Sequence, residues 1–183
     1  MALVRADIAT IVVAGGPMAS LLILKPRAKR EQNEALPLHI GSSEAMAIGL
    51  AIDPTKAKRP QTHDLIMQML TSFGALIKSV AITDVKDTTF YAYIEVATPL
   101  QEETIRFDAR PSDAVALAVR ARAPIYVEER VIDVAGYPDF DTAKREAQKD
   151  SVAAFDKFVE NLSPEDFNFT DKSISDHKSN EHR

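Results

Sequence analysis

Apolar and polar residues alternate over Ile8–Ala14 and again over Leu21–Lys25, with Gly15-Gly16-Pro17 between them. A period of two is the mark of a strand with one buried face, and the Gly-Gly-Pro step is a hairpin-type turn. A third short strand is expected near Leu36–Ile40, followed by a helix that Ser42 or Ser43 can cap. The same order recurs with strands near Ile77–Thr83, Thr89–Val96 and Glu103–Asp108, a turn at Asp84–Asp87, and a helix opening at Ser112. An offset of 69 residues aligns the two halves without a break: Ile40-Gly41-Ser42-Ser43-Glu44-Ala45 falls on Ala109-Arg110-Pro111-Ser112-Asp113-Ala114. The pattern therefore predicts an internal duplication of β-β-β-α units, over about 6–53 and 75–122.

Between the units, Leu65, Ile66, Met69, Leu70 and Phe73 recur at helical spacing. They predict a connecting helix over 62–73, with Thr62 as its N-cap, Asp64 in its positive first turn and Gly74 as its stop. Ala123–Val127 reads as a further strand. The expected fold class is α+β with mainly antiparallel sheet in a domain over 1–135. A C-terminal helical extension over 136–162 and a polar, disordered tail over 163–183 complete the chain.

Composition narrows the chemistry. The absence of Cys excludes disulfides, thiolate metal sites and cysteine nucleophiles, so a metal site would rest on carboxylates and the four His. No apolar run reaches the ~20 residues of a membrane span. The charge and β-branched alternation at the N-terminus read as a strand and not as a secretion signal, so a cytoplasmic location with no membrane partner is expected. The net charge is −5, with 15 basic and 16 acidic residues before Pro138 and 7 and 11 from there on. That balance excludes a strongly basic polyanion binder while leaving local basic clusters, Lys25/Arg27/Lys29/Arg30 and Lys56/Lys58/Arg59. The first cluster is equivalent to acidic Gln101-Glu102-Glu103 in the second unit, and such opposed loops could meet across a subunit interface, so a homo-oligomer, a dimer, is expected.

Two segments concentrate reactive side chains: Arg59-Pro60-Gln61-Thr62-His63-Asp64 and Asp108-Ala109-Arg110-Pro111-Ser112-Asp113. Each sets an Arg, a hydroxyl and a carboxylate at a helix mouth, where free N–H groups and the positive dipole end favour phosphate. Arg adds bidentate contacts, His moves protons near neutral pH, and carboxylates can hold a divalent cation such as Mg. The same residues also suit a purely structural role, with Thr62 and Ser112 as caps and Arg110 paired with Asp108 or Asp113. No nuclease signature, Gly-rich phosphate loop or zinc motif is present by spacing alone.

The words RPQTHDLIMQML (59–70), ITDVKDTTFYAYI (82–94) and IRFDARPSDAVALAVRARAPIYV (105–127), with HIGSSEAMAIGLAI (39–52), resemble the bifunctional nuclease domain family. The resemblance runs roughly from Ala6 to Asp133. It implies cleavage of RNA and DNA, mainly single-stranded, with little base preference. The matching motif positions would carry it: His63, Asp64, Asp108, Asp113 and Glu44 as catalytic groups, and Arg59, Arg110, Thr62 and Ser112 as phosphate-binding groups. The resemblance fixes no metal. The rival expectation is a non-catalytic regulatory or assembly protein in which these residues brace the fold.

Overall fold

The computed structural model describes residues 2–13, 20–27, 34–53, 59–137 and 142. The expected turn at Gly15–Pro17, the basic residues Lys29, Arg30, Lys56 and Lys58, the helical extension over 136–162 apart from Gly136, Tyr137 and Thr142, and the tail lie outside the described residues.

The chain forms β1 (Leu3–Val12), β2 (Ser20–Pro26), β3 (Leu36–Ile40), α1 (Ser42–Ile52), α2 (Thr62–Ser72), β4 (Leu76–Lys86), β5 (Thr89–Thr98), β6 (Gln101–Ala109), α3 (Pro111–Ala121), β7 (Ile125–Glu128) and α4 (Glu129–Ala135). It is an α+β fold with one seven-stranded sheet in the order β3-β2-β1-β7-β4-β5-β6. Every pairing is antiparallel except β4 with β7. Each run of three strands is thus a meander, and β7 joins the two meanders. The offset of 69 residues carries α1 onto α3 end for end, and the start of β2 and end of β3 onto the start of β5 and end of β6. This is an equivalence of element bounds, and the duplication itself stays an inference from sequence pattern.

Register explains which face is buried. Val4, Leu22, Leu24, Leu38, Val80, Ile82, Ile94 and Val127 are partners on one face and join a single hydrophobic cluster. All four helices contribute to it: Ala45 and Ile48 from α1, Ala114–Ala118 from α3, Val131 and Ile132 from α4, and the partly buried Ile66, Met67 and Leu70 from α2. The Ala runs let α1 and α3 approach closely, because no bulk holds the backbones apart.

Several local expectations are corrected. β4 continues through Lys86, so the hairpin closes at Asp87-Thr88, where Asp87 takes the left-handed conformation (φ 54°) that Asp tolerates well. Gln101–Glu103 belong to β6 and not to a loop. The cap residues are Gly41, Gln61 and Arg110, one position or more before the hydroxyls expected there. Pro111 explains the last case: its fixed φ and missing N–H suit the first helical position, which pushes Ser112 inward to 7% exposure. Gly74 ends α2 as expected, at φ +69°. α4 is an addition to the expected elements, since seven residues are too few to show a helical period.

Candidate active site

α2 and α3 open side by side, and α1 opens against α3. The three helix mouths bring together four charged or proton-transferring side chains that are far apart in sequence. His63 Nε2 stands 3.2 Å from Asp113 Oδ1. Arg110 holds the same carboxylate side-on, through Nε to Oδ2 at 2.7 Å and Nη2 to Oδ1 at 3.1 Å. Its Nη1 reaches Glu44 Oε1 at 3.1 Å. Three of the five guanidinium N–H donors are committed in this way, and two remain. His63 is 13% exposed and Arg110 66%, so the pair presents a mostly enclosed imidazole beside an open guanidinium.

The protonation pattern follows from these contacts. Burial by itself would raise the Asp113 pKa, but the hydrogen bonds from Arg110 and His63 outweigh it and the net shift is downward. Asp113 is therefore an anion at neutral pH and can only accept, so His63 donates from Nε2. Nδ1 is the ring nitrogen left to take a proton, which is how a carboxylate orients a general base. The hydrogen bond to Asp113 in turn holds Arg110 above its ordinary pKa.

The cluster faces a groove of about 970 Å³. Glu44, His63, Arg110 and Asp113 line its polar end, and Ile66, Leu70, Ile94 and Phe107 are among the apolar residues lining the rest. Thr62, exposed at the first position of α2, lines the groove with them. Arg59 is exposed on the segment entering α2, outside the groove lining. Asp108 stands at the groove rim, but it pairs with Tyr93 across β5 and β6, whereas Phe107 pairs with the buried Ile94. Strand alternation therefore sends the Asp108 carboxylate to the opposite face of the sheet, away from His63. Buried Ser112 is likewise removed from the groove surface.

Both carboxylate oxygens of Asp64 are held by neighbouring groups. Its Oδ2 accepts from the Gln61 backbone N–H at 2.9 Å and its Oδ1 from Arg120 Nε at 2.6 Å. These two contacts, in that order, lower its pKa. Arg120, which is absent from the sequence-based candidates, has a side chain only 9% exposed and also donates to the carbonyls of Ala47 and Ala116 and to Gln61 Oε1. One guanidinium thus ties α1 and α3 to the mouth of α2, which carries His63. The available signal is spacing: Arg120 lies four residues beyond Ala116 and seven beyond Asp113, on the same helical face.

No three His, Asp or Glu side chains among the described residues are grouped to hold a metal ion. The arrangement also argues against a preformed nest, because the Arg110 guanidinium occupies the position between Glu44 and Asp113 that a cation would take. Among the described residues no helix is long and apolar enough to cross a membrane.

The Asp64 and Asp113 shifts make an acid-limb prediction. Each folded-state pKa lies below the unfolded value, so the stabilisation is complete above the ordinary aspartate pKa of about 3.9 and is lost as pH falls through the folded value. Thermal melts of wild type and Asp64→Asn should differ most at pH 6–7 and converge at the acid end. A gap independent of pH would contradict the ion-pair account.

The model of the bifunctional nuclease domain matches residues 22–139. The chain belongs to the bifunctional nuclease domain family. The match covers every groove-lining charged residue named above. An uncharacterized protein of Mycobacterium tuberculosis is 41% identical over 139 residues, 74% of this chain and 82% of its own. Bifunctional nuclease 1 of Oryza sativa subsp. japonica is 28% identical over 97 residues, 52% of this chain and 29% of its own. Bifunctional nuclease 2 of Arabidopsis thaliana is 24% identical over 114 residues, 62% of this chain and 35% of its own. The bifunctional nuclease family thus enters through the domain that holds the groove.

Proposed function

We propose that this protein hydrolyses phosphodiester bonds of RNA and DNA, mainly single-stranded and with little base preference, in the groove between the mouths of α1, α2 and α3. The observation that carries the reading is the His63 Nε2–Asp113 Oδ1 contact of 3.2 Å, with Arg110 on the same carboxylate. In this reading Nδ1 of His63 takes a proton from water as the water oxygen bonds to phosphorus. One ester P–O bond breaks, and its oxygen leaves with a proton from solvent or from the imidazolium. The two uncommitted N–H groups of Arg110 contact the phosphate oxygens. Asp113 orients the imidazole and steadies it once charged, and Glu44 fixes the far side of Arg110. In this reading Thr62, which lines the groove, and the exposed Arg59 contact further phosphates of the strand. Asp64 and Ser112 act by holding helix mouths in place, and Asp108 has no part in proton transfer.

The low demand for base identity fits an apolar groove floor with few hydrogen-bonding groups, because sequence is read through donors and acceptors on base edges. The test is cleavage of end-labelled single-stranded RNA and DNA by wild type and by Asp113→Asn purified in parallel, each with and without a chelator. Cleavage by the wild type alone supports the reading, and the chelator lanes report whether a divalent cation is needed. Equal cleavage by both proteins, or by neither, overturns it.

A further inference from the structure

α2 is apolar on two sides, yet none of its residues is buried. Ile66, Met67 and Leu70 face the core and are only partly covered. On the other side Leu65 is 52% exposed, Met69 53% and Phe73, the residue that closes the helix, 74%. These positions advance four residues at a time and form one stripe. Two neighbours extend it. Leu76, at the start of β4, is 63% exposed, and Leu100, in the β5–β6 turn, is 89% exposed. The turn is brought alongside at Gly74, where an added Cβ would stand 3.2 Å from Pro99 Cγ.

Scattered apolar residues on a surface are ordinary, but a contiguous stripe of this size marks an interface. Five such side chains leave on the order of 600 Å² of apolar surface per copy, so a two-fold pair would bury about 1,200 Å², within the range of stable dimers. The composition favours a second copy as the occupant. A two-fold interface sets like residues against like, which penalises charge. Beyond Asp64, α2 carries no charged residue, and Gln68, Thr71 and Ser72 on its exposed side are neutral.

We infer that two copies of this chain pair through the outer face of α2, with Leu65, Met69, Phe73, Leu76 and Leu100 meeting their equivalents across a two-fold axis. The pairing has a consequence for the groove. α2 carries His63, and its described packing is thin; covering its outer face fixes the helix from both sides and holds His63 against Asp113. The dimer therefore completes the support of the site that each copy contains.

The test uses the full chain and no activity measurement, so it is independent of the nuclease reading. Sedimentation of wild type, Met69→Glu/Phe73→Glu and Val134→Glu is compared over a range of concentrations, alongside amide hydrogen exchange of α2. Val134 is 69% exposed on α4 and lies off the stripe. Wild type and Val134→Glu are expected as dimers. The double variant should be a folded monomer, with its dissociation constant raised at least about a hundredfold and with faster exchange in α2. A monomeric wild type, or a dimer that survives the double substitution, overturns the inference. Unchanged α2 exchange in a monomeric double variant overturns the link to His63.

Discussion

His63→Ala is expected to lower cleavage of single-stranded RNA and DNA by about 10²–10⁴-fold, the usual contribution of a positioned acid–base group. The melting temperature should stay within about 2 °C of wild type, the effect of about 0.5–1 kcal/mol in a chain of this size. The separation is expected because the hydrogen bond shown for the His63 side chain is the 3.2 Å pair with Asp113, and Asp113 keeps both bonds from Arg110 when the imidazole is gone. Kinetics under saturating substrate and a thermal melt on the same sample check it. A large loss of stability with unchanged cleavage would assign the cluster to bracing, the role the rival regulatory or assembly reading gives it.

Arg120→Met is expected to do the reverse. The side chain is 9% exposed, so its charge stays out of water only because Asp64, Gln61 and two backbone carbonyls receive it. Methionine fills much of the space but removes the guanidinium from the Asp64 carboxylate and from Gln61 Oε1, leaving a partly buried charge without its cation, at a cost of about 3 kcal/mol. Asp64 is 36% exposed and can recover some solvation, which keeps the value at the low end for a broken buried pair. A fall of roughly 6–12 °C in melting temperature follows. Arg120→Lys should be intermediate, since an ammonium supplies charge but cannot span Asp64 and the two carbonyls at once. A melt within about 2 °C of wild type for Arg120→Met would show that helix packing alone holds the three mouths together.

The contrast between these two residues bears on what could be read in advance. His63 stood out because an imidazole next to Asp at a helix start is conspicuous in one dimension. Arg120 sat in RARAP, a run that looks like ordinary solvated surface. Only the crossing of α1, α2 and α3 turns it into the buried tie. Asp108 shows the opposite case, a candidate whose neighbours in the motif do not settle where its side chain lies. It belongs to the same short motif as Arg110 and Asp113, yet its strand position gives it the other face of the sheet, while Arg110, two residues on, has left the strand as the cap of α3.

The sequence by itself determined the order of strands and helices from β1 to β7, the α+β class and the family. These rest on local quantities: the period of apolar positions, turn residues, and motif words that stay contiguous in the chain. It also placed His63, Arg110, Asp113 and Glu44 among the candidates. Tertiary structure decided that β7 joins the two meanders, parallel to β4, because strand neighbours depend on loop closure and shared burial and not on adjacency. It decided which candidates meet. Glu44 and Arg110 are 66 residues apart and His63 and Asp113 are 50 apart, and their contact exists only because two Ala-rich helices approach closely beside α2. It brought Arg120 onto Asp64 for the same reason: the partners of a carboxylate are set by the cations that surround it, and those cations arrive from other elements.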